Sequence, residues 1–231
     1  MNESGGLADR HAEVRARIAE AATSSGREAS AVRLIAVTKR LSPERIEEAA
    51  ELGLTDFGES YLQEALPKVD AFAGRGLCWH FVGRLQSNKA RRAAERFDWL
   101  HGVDGLRTAR AVSRAMVTAE RTARVFVEIH LGGGAVRGGL EAGDAARFLE
   151  DAATLAGIRF VGVMGIAPRD GEARPHFERL RLVAERLRGL GIDNAPMNEM
   201  SAGMSGDYED AIREGATMVR LGTTLFGPRP D

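Results

Sequence analysis

Eight short apolar runs recur along this chain at near-regular spacing, and they constrain the fold more than any other feature. They are Leu34–Val37, Thr55–Phe57, Trp79–Val82, Trp99–Val103, Val125–Ile129, Phe160–Met164, Pro196–Met200 and Met218–Leu221. Taken as strands, they are buried on both faces, which is the habit of a parallel sheet. Segments with helix grammar lie between them. After the first run, Ser42 stands at an N-cap position, Pro43 at the first helical position and Gly53 just past the end. Further helices are expected over Leu62–Phe72, Gln86–Phe97, Leu106–Glu120, Asp144–Leu155, Pro175–Leu190 and Asp207–Glu214. An amphipathic helix opens the chain, with Leu7, Val14, Ile18 and Ala21 at helical spacing. This order predicts an α/β fold: one (β/α)8 barrel over residues 1–231 with an extra N-terminal helix. An open doubly wound sheet is the alternative, but no G-x-G-x-x-G follows a strand and opens a helix. Gly132–Gly139 reads as a loop after the fifth strand.

Charge and cysteine content narrow the function classes. The 32 Lys and Arg balance 33 Asp and Glu, so there is no basic field to recruit nucleic acid. Arg91, Arg92 and Arg96 cluster, but on a helix such a run is a solvated face. The one cysteine, Cys78, excludes an internal disulfide and a zinc site built of cysteines, and its apolar surroundings suit a buried structural thiol. The N-terminus has no apolar signal-like core and no stretch matches a membrane span, so a cytoplasmic protein is expected.

In a barrel the chemistry gathers where the strands end. The loops after strands seven and eight commonly bind phosphate, and here they carry Ser201, Gly203 and Ser205, then Arg220, Gly222 and Thr223. Three hydroxyls, a guanidinium and glycines that let an oxygen approach the backbone suit an anion. A capping Ser205, a turn at Gly222 and an ion-paired Arg220 are the alternative. Lys39 follows the first strand beside Arg40, where partial burial and a like charge favour the neutral amine that Schiff-base chemistry needs. A solvated loop lysine is the other reading, and a phosphate site across the same mouth favours the first. Glu59 is a general base, a salt-bridge partner or a helix-start charge, and Tyr61 packs near the mouth. His80 suits a hydrogen-bonded core histidine. His80, His101 and His130 lack metal-ligand pairing, so no metal site is expected.

At these residues the sequence resembles the pyridoxal phosphate homeostasis protein family, whose barrel is similar to the N-terminal domain of alanine racemase. The matching blocks are Leu34-Ile-Ala-Val-Thr-Lys39, Phe57-Gly-Glu-Ser-Tyr-Leu-Gln-Glu64, Trp79-His-Phe-Val-Gly-Arg-Leu-Gln-Ser-Asn-Lys89, Gly162-Val-Met-Gly-Ile166, Met200-Ser-Ala-Gly-Met-Ser-Gly-Asp207 and Met218-Val-Arg-Leu-Gly-Thr-Thr-Leu-Phe-Gly227. The resemblance implies that Lys39 carries pyridoxal 5'-phosphate (PLP) as a Schiff base. It also implies that Ser201, Gly203, Met204, Ser205, Arg220, Gly222 and Thr223 surround phosphate and ring, and that Met164 and Gly165 wall the cofactor. Ser60 stands where the family usually has asparagine, and Arg84 where it usually has proline.

Members of this family are regarded as carriers or regulators of vitamin B6 pools. A racemase needs acids or bases on both faces of a substrate carbon, and related racemases take a tyrosine from a second domain that is not expected here. The expectation is therefore a PLP-binding homeostasis module that is monomeric, lacks catalytic residues and supplies apo-PLP enzymes. A low-activity amino-acid racemase using Lys39 and Tyr61 is one alternative, and a Schiff-base aldolase is another.

Overall fold

The computed structural model describes residues 6–132 and 138–228, so most of the Gly132–Gly139 loop lies outside the described residues. Helix α1 (Leu7–Ser24) precedes the barrel. The strands are β1 (Arg33–Val37), β2 (Asp56–Glu59), β3 (Cys78–Phe81), β4 (Trp99–Val103), β5 (Ala123–Ile129), β6 (Ile158–Gly165), β7 (Glu199–Ser201) and β8 (Met218–Leu221). The helices after them are α2 (Pro43–Glu51), α3 (Leu62–Ala71), α4 (Ala90–Arg96), α5 (Leu106–Thr118), α6 (Ala145–Ala152), α7 (Arg174–Arg188), α8 (Tyr208–Arg213) and α9 (Thr223–Phe226). Each strand pairs in parallel with the next, and β8 pairs with β1 to close the barrel.

Alternation along the strands sorts the core into two layers. Leu34, Ala36, Phe57, Phe81, Val219 and Leu221 face the helices within one large cluster. Ile35, Trp99, Phe126, Val161, Met164 and Met218 fill the barrel interior. Strands β6 and β7 approach so closely that a Cβ on Gly162 would lie 1.8 Å from the Glu199 carbonyl oxygen.

All eight expected strands form, Trp99–Val103 and Met218–Leu221 with the expected bounds and the others shifted. The seventh is shorter than Pro196–Met200, because Met197 takes a left-handed φ of 51° and the chain enters the sheet at Glu199. Residues before Ala90 close turns, with the Lys89 amide donating to the Gln86 carbonyl, so α4 starts later than Gln86. Helix α9 was not expected. Its last carbonyls are capped from α1, where Arg10 Nε donates to the Leu225 oxygen at 2.9 Å. Helix α1 thus braces the end of the barrel wall. No helix among the described residues is long and apolar enough to cross a membrane.

Candidate functional site

The strand ends surround a cavity of about 480 Å³. Lys39 and Ser60 line it from the β1 and β2 side, and Met204, Ser205, Gly206, Asp207, Gly222 and Thr223 from the β7 and β8 side. Because β8 neighbours β1, the lysine and the hydroxyl-bearing loops share one wall of the mouth.

The backbone on either side of Lys39 is held from below. Thr38 Oγ1 donates to Glu59 Oε1 at 2.8 Å, and the Arg40 amide, at a left-handed φ of 61°, donates to Glu64 Oε1. Lys68, only 6% exposed, completes the network. Its Nζ donates to the Thr38 carbonyl and Glu59 Oε1 at 2.8 Å each and to Glu64 Oε1 at 2.6 Å. Burial pushes the Glu59 carboxyl up, and Lys68 opposes it. Glu59 is therefore a salt-bridge partner. Ser60 is set by a close approach: a Cβ on Gly83 would lie 2.3 Å from the Ser60 carbonyl oxygen.

The opposite loops are stitched to each other. Thr224 N donates to Ser205 Oγ at 3.2 Å, and Met204 N donates to Asp207 Oδ1 at 2.6 Å. Gly203, at φ +91°, passes under α8, where a Cβ would lie 2.8 Å from the Tyr208 Cα. Ser205, Gly222 and Thr223 consequently form a fixed rim of hydroxyls and backbone suited to an anion.

Arg220 lies deeper. It is buried on β8 and lines the cavity, but Nη1 donates to the Ser201 carbonyl at 2.7 Å and to Ser201 Oγ at 2.6 Å. Nη2 donates to the Gly165 carbonyl at 3.0 Å. Burial lowers its pKa to about 10, with Asp207 and Glu128 opposing, so it stays charged at neutral pH.

Of the eleven residues expected at the site, Lys39, Ser60, Met204, Ser205, Arg220, Gly222 and Thr223 line the cavity. Ser201 does not; it is fully buried and its hydroxyl is engaged by Arg220 and His101. Gly165 reaches the site through its carbonyl, while a Cβ there would strike Leu131 Cδ1 at 2.6 Å. Met164 packs in the barrel interior, and Gly203 accepts the Arg220 amide at 3.0 Å. Tyr61 is 52% exposed and outside the cavity lining. Val37, Val82, Ile166 and Arg169 line it without having been expected.

Two buried features also went unread. Glu128 sits near the mouth with Oε2 unpartnered by protein, and burial, reinforced by Asp104, raises its pKa to about 7. His80 is fully buried and hydrogen-bonded, as expected, but Nδ1 meets His101 Nε2 at 3.0 Å. Cys78 is half-buried, not fully buried, and its thiol is pushed up to about 12 by burial. Asp56, Cys78 and His80 place their side-chain polar atoms within 4.8 Å of one another at the N-terminal end of the barrel.

Fold and site together define a class, the barrel of the alanine racemase N-terminal domain, whose family profile matches residues 11–230. An alanine racemase from Clostridium difficile shares the fold, with a TM-score of 0.71 at 16% identity over 87% of this chain and 56% of the racemase. More narrowly, the chain belongs to the pyridoxal phosphate homeostasis protein family. It is 41% identical to the Pseudomonas aeruginosa pyridoxal phosphate homeostasis protein over 96% of both chains. It also matches PipY of Synechococcus elongatus, solved with PLP bound, at 32% identity and a TM-score of 0.84, covering 96% of this chain and 100% of that one.

Proposed function

We propose that this protein binds pyridoxal 5'-phosphate reversibly through Lys39 and acts in the homeostasis of the cofactor, as a cytoplasmic carrier that supplies apo-PLP enzymes without turnover of its own. One observation carries the reading: Lys39 and the Ser205, Gly222 and Thr223 rim open into the same cavity. An aldehyde with a phosphate tail needs an amine at one end and an anion cradle at the other, and the residues present fit both demands. The PLP bound in PipY and the name of the Pseudomonas relative support it. When bound, PLP supplies an aldehyde that condenses with an amine and a ring that withdraws electrons.

The chain's own residues divide the work. Thr38, Glu59, Glu64 and Lys68 fix the backbone that presents Lys39. Ser205, Gly222 and Thr223 would hold the phosphate, with Met204 and Ser60 on the flanks. Arg220 lies beneath them with two of its nitrogens committed to protein oxygens, which suits the ring better than the phosphate. A racemase reading with Tyr61 as the second base lacks support, since that side chain is exposed outside the cavity.

Purified protein given PLP should develop a visible band, and borohydride should fix the cofactor to the peptide containing Lys39. The Lys39→Ala protein should lose the band; an unchanged spectrum would refute the assignment. Exchange of the alanine α-proton in deuterated water at an enzyme-like rate, lost in Lys39→Ala, would establish a racemase instead.

A further inference from the structure

A line of polar side chains crosses the otherwise apolar barrel interior from its N-terminal end to the mouth. Asp56, the first residue of β2, meets His80 Nε2 through Oδ1 at 3.0 Å. His80 Nδ1 meets His101 Nε2 at 3.0 Å, His101 Nδ1 meets Ser201 Oγ at 2.8 Å, and Ser201 Oγ accepts from Arg220 Nη1 at 2.6 Å. His80, His101 and Ser201 are fully buried.

The two ends fix the direction of every proton between them. Arg220 can only donate. Asp56 can only accept: burial acts to raise its carboxyl, but His80, the Thr55 hydroxyl and Arg33 together outweigh this and hold it at about 2. Burial lowers the pKa of both histidines, so each neutral ring has one donor and one acceptor. His80 must then carry its proton on Nε2, facing Asp56, and accept at Nδ1. His101 must donate from Nε2 and accept at Nδ1, which leaves the Ser201 hydroxyl donating to His101 and accepting from Arg220. The reverse order would set a histidine lone pair against the carboxylate. Ring stacking holds the planes, His80 on Trp99 at 5.7 Å and His101 on Phe126 at 4.4 Å. The charged groups acting on the line are Arg33 and Asp98 at the Asp56 end, beside the Cys78 thiol, and Asp207 and Glu128 at the Arg220 end.

We propose that Asp56, His80, His101 and Ser201 are positioning residues, a one-way hydrogen-bonded chain that fixes the Arg220 guanidinium in the cavity from the opposite end of the barrel. The tuning of bound cofactor by this chain rests on the PLP reading; the proton order does not. A buried polar line costs stability unless every member is satisfied, and apolar side chains fill the rest of this interior. What the line delivers is a cation whose plane is held by Ser201 and Gly165.

The test has two arms. In cofactor-free protein labelled with 15N-histidine, NMR at neutral pH should show His80 and His101 both neutral and protonated on Nε2, with His101→Gln supplying the assignment. In Asp56→Asn, whose amide can either donate or accept, His101 should become mixed or switch to Nδ1. A charged or Nδ1-protonated ring in the unaltered protein, or no change in Asp56→Asn, would overturn the chain. In PLP-loaded protein, Asp56→Asn should move the pH midpoint of the visible band by about 0.5 unit or more, although Asp56 does not line the cavity. Ser201→Ala gives a second break if Asp56→Asn does not fold, with the tautomers retained and the midpoint moved. Unmoved midpoints in these variants would overturn the coupling. An unaltered protein with no visible band would overturn the PLP reading, leaving the NMR arm to judge the chain.

Discussion

Lys68→Met tests whether the buried ionic network beneath Lys39 holds that segment in place. Methionine is close in volume, so cavity formation contributes little. The charge is what goes. Glu59, 0% exposed, would keep only the Thr38 hydroxyl at 2.8 Å as a donor, and its Oε2 already has no protein partner. Removing one member of a buried pair costs about 3–5 kcal/mol. In a chain of this length that corresponds to a fall in Tm of roughly 6–20 °C. The midpoint of urea unfolding at pH 7 should drop with an unchanged slope. Without Lys68, the Thr38 hydroxyl is left as the remaining offset to the burial that already raises the Glu59 pKa above 4.5. A raised carboxyl contributes most below its unfolded value and loses that contribution as pH climbs through its folded one, so the deficit should be larger at pH 8 than at pH 5. Adding Glu59→Gln should recover about 1–3 kcal/mol, because the stranded charge is gone. A loss below about 1 kcal/mol at pH 7, or no recovery in the double variant, would refute the reasoning.

Two further expectations follow from side chains around the mouth. Glu128 has a folded pKa of about 7 against an ordinary 4.5, so its contribution is full below 4.5 and fades as pH rises through 7, a loss of about 3 kcal/mol. Glu128→Gln should remove that loss and exceed the unaltered protein in stability at pH 8 but not at pH 5; parallel pH profiles in urea unfolding would contradict it. Gly83→Ala would set a Cβ 2.3 Å from the Ser60 carbonyl oxygen, a backbone atom that must shift, at a cost of about 1–3 kcal/mol. PLP retention on dialysis should fall with it, and equal retention would remove Ser60 from the cofactor's surroundings.

The barrel was legible because its signal is repeated: eight apolar runs, each followed by a crossover, leave few topologies. Individual bounds were less so. The late entry of β7 depends on a left-handed Met197, which no residue type announces. The rim residues Ser205, Gly222 and Thr223 were readable from their place after the last strands. Ser201 and Arg220 were assigned to the same anion site; Arg220 lines the cavity while Ser201 is buried beneath it, and the two engage each other. Order along the chain identifies a strand end; which way a side chain turns there depends on parity and register. The histidine pair carried a usable sign in that parity, since each lies within an apolar run on neighbouring strands. Lys68 and Glu64 sit at helical spacing, but burial of the lysine appears only when α3 sets its Nζ against the Thr38 carbonyl and Glu59.

The two buried networks approach the cavity from different sides and act on different parts of it. Glu59, Lys68 and Glu64 hold backbone, fixing the residues before and after Lys39. The histidine chain holds a side chain, the Arg220 guanidinium. The rim lies nearer solvent: Thr223 is exposed and Ser205 half-buried, and the loops are tied where the Thr224 amide and hydroxyl donate to Ser205. On the proposed reading, a carrier must present its amine and its cation in fixed positions, because capture depends on their geometry. It must also let the phosphate go, and a shallow, solvent-facing rim makes that end the one where release begins. The division between a rigid floor and an open rim is what reversible binding asks of a barrel mouth. It also places the most damaging substitutions for capture at Lys68 and His101, residues that do not line the cavity.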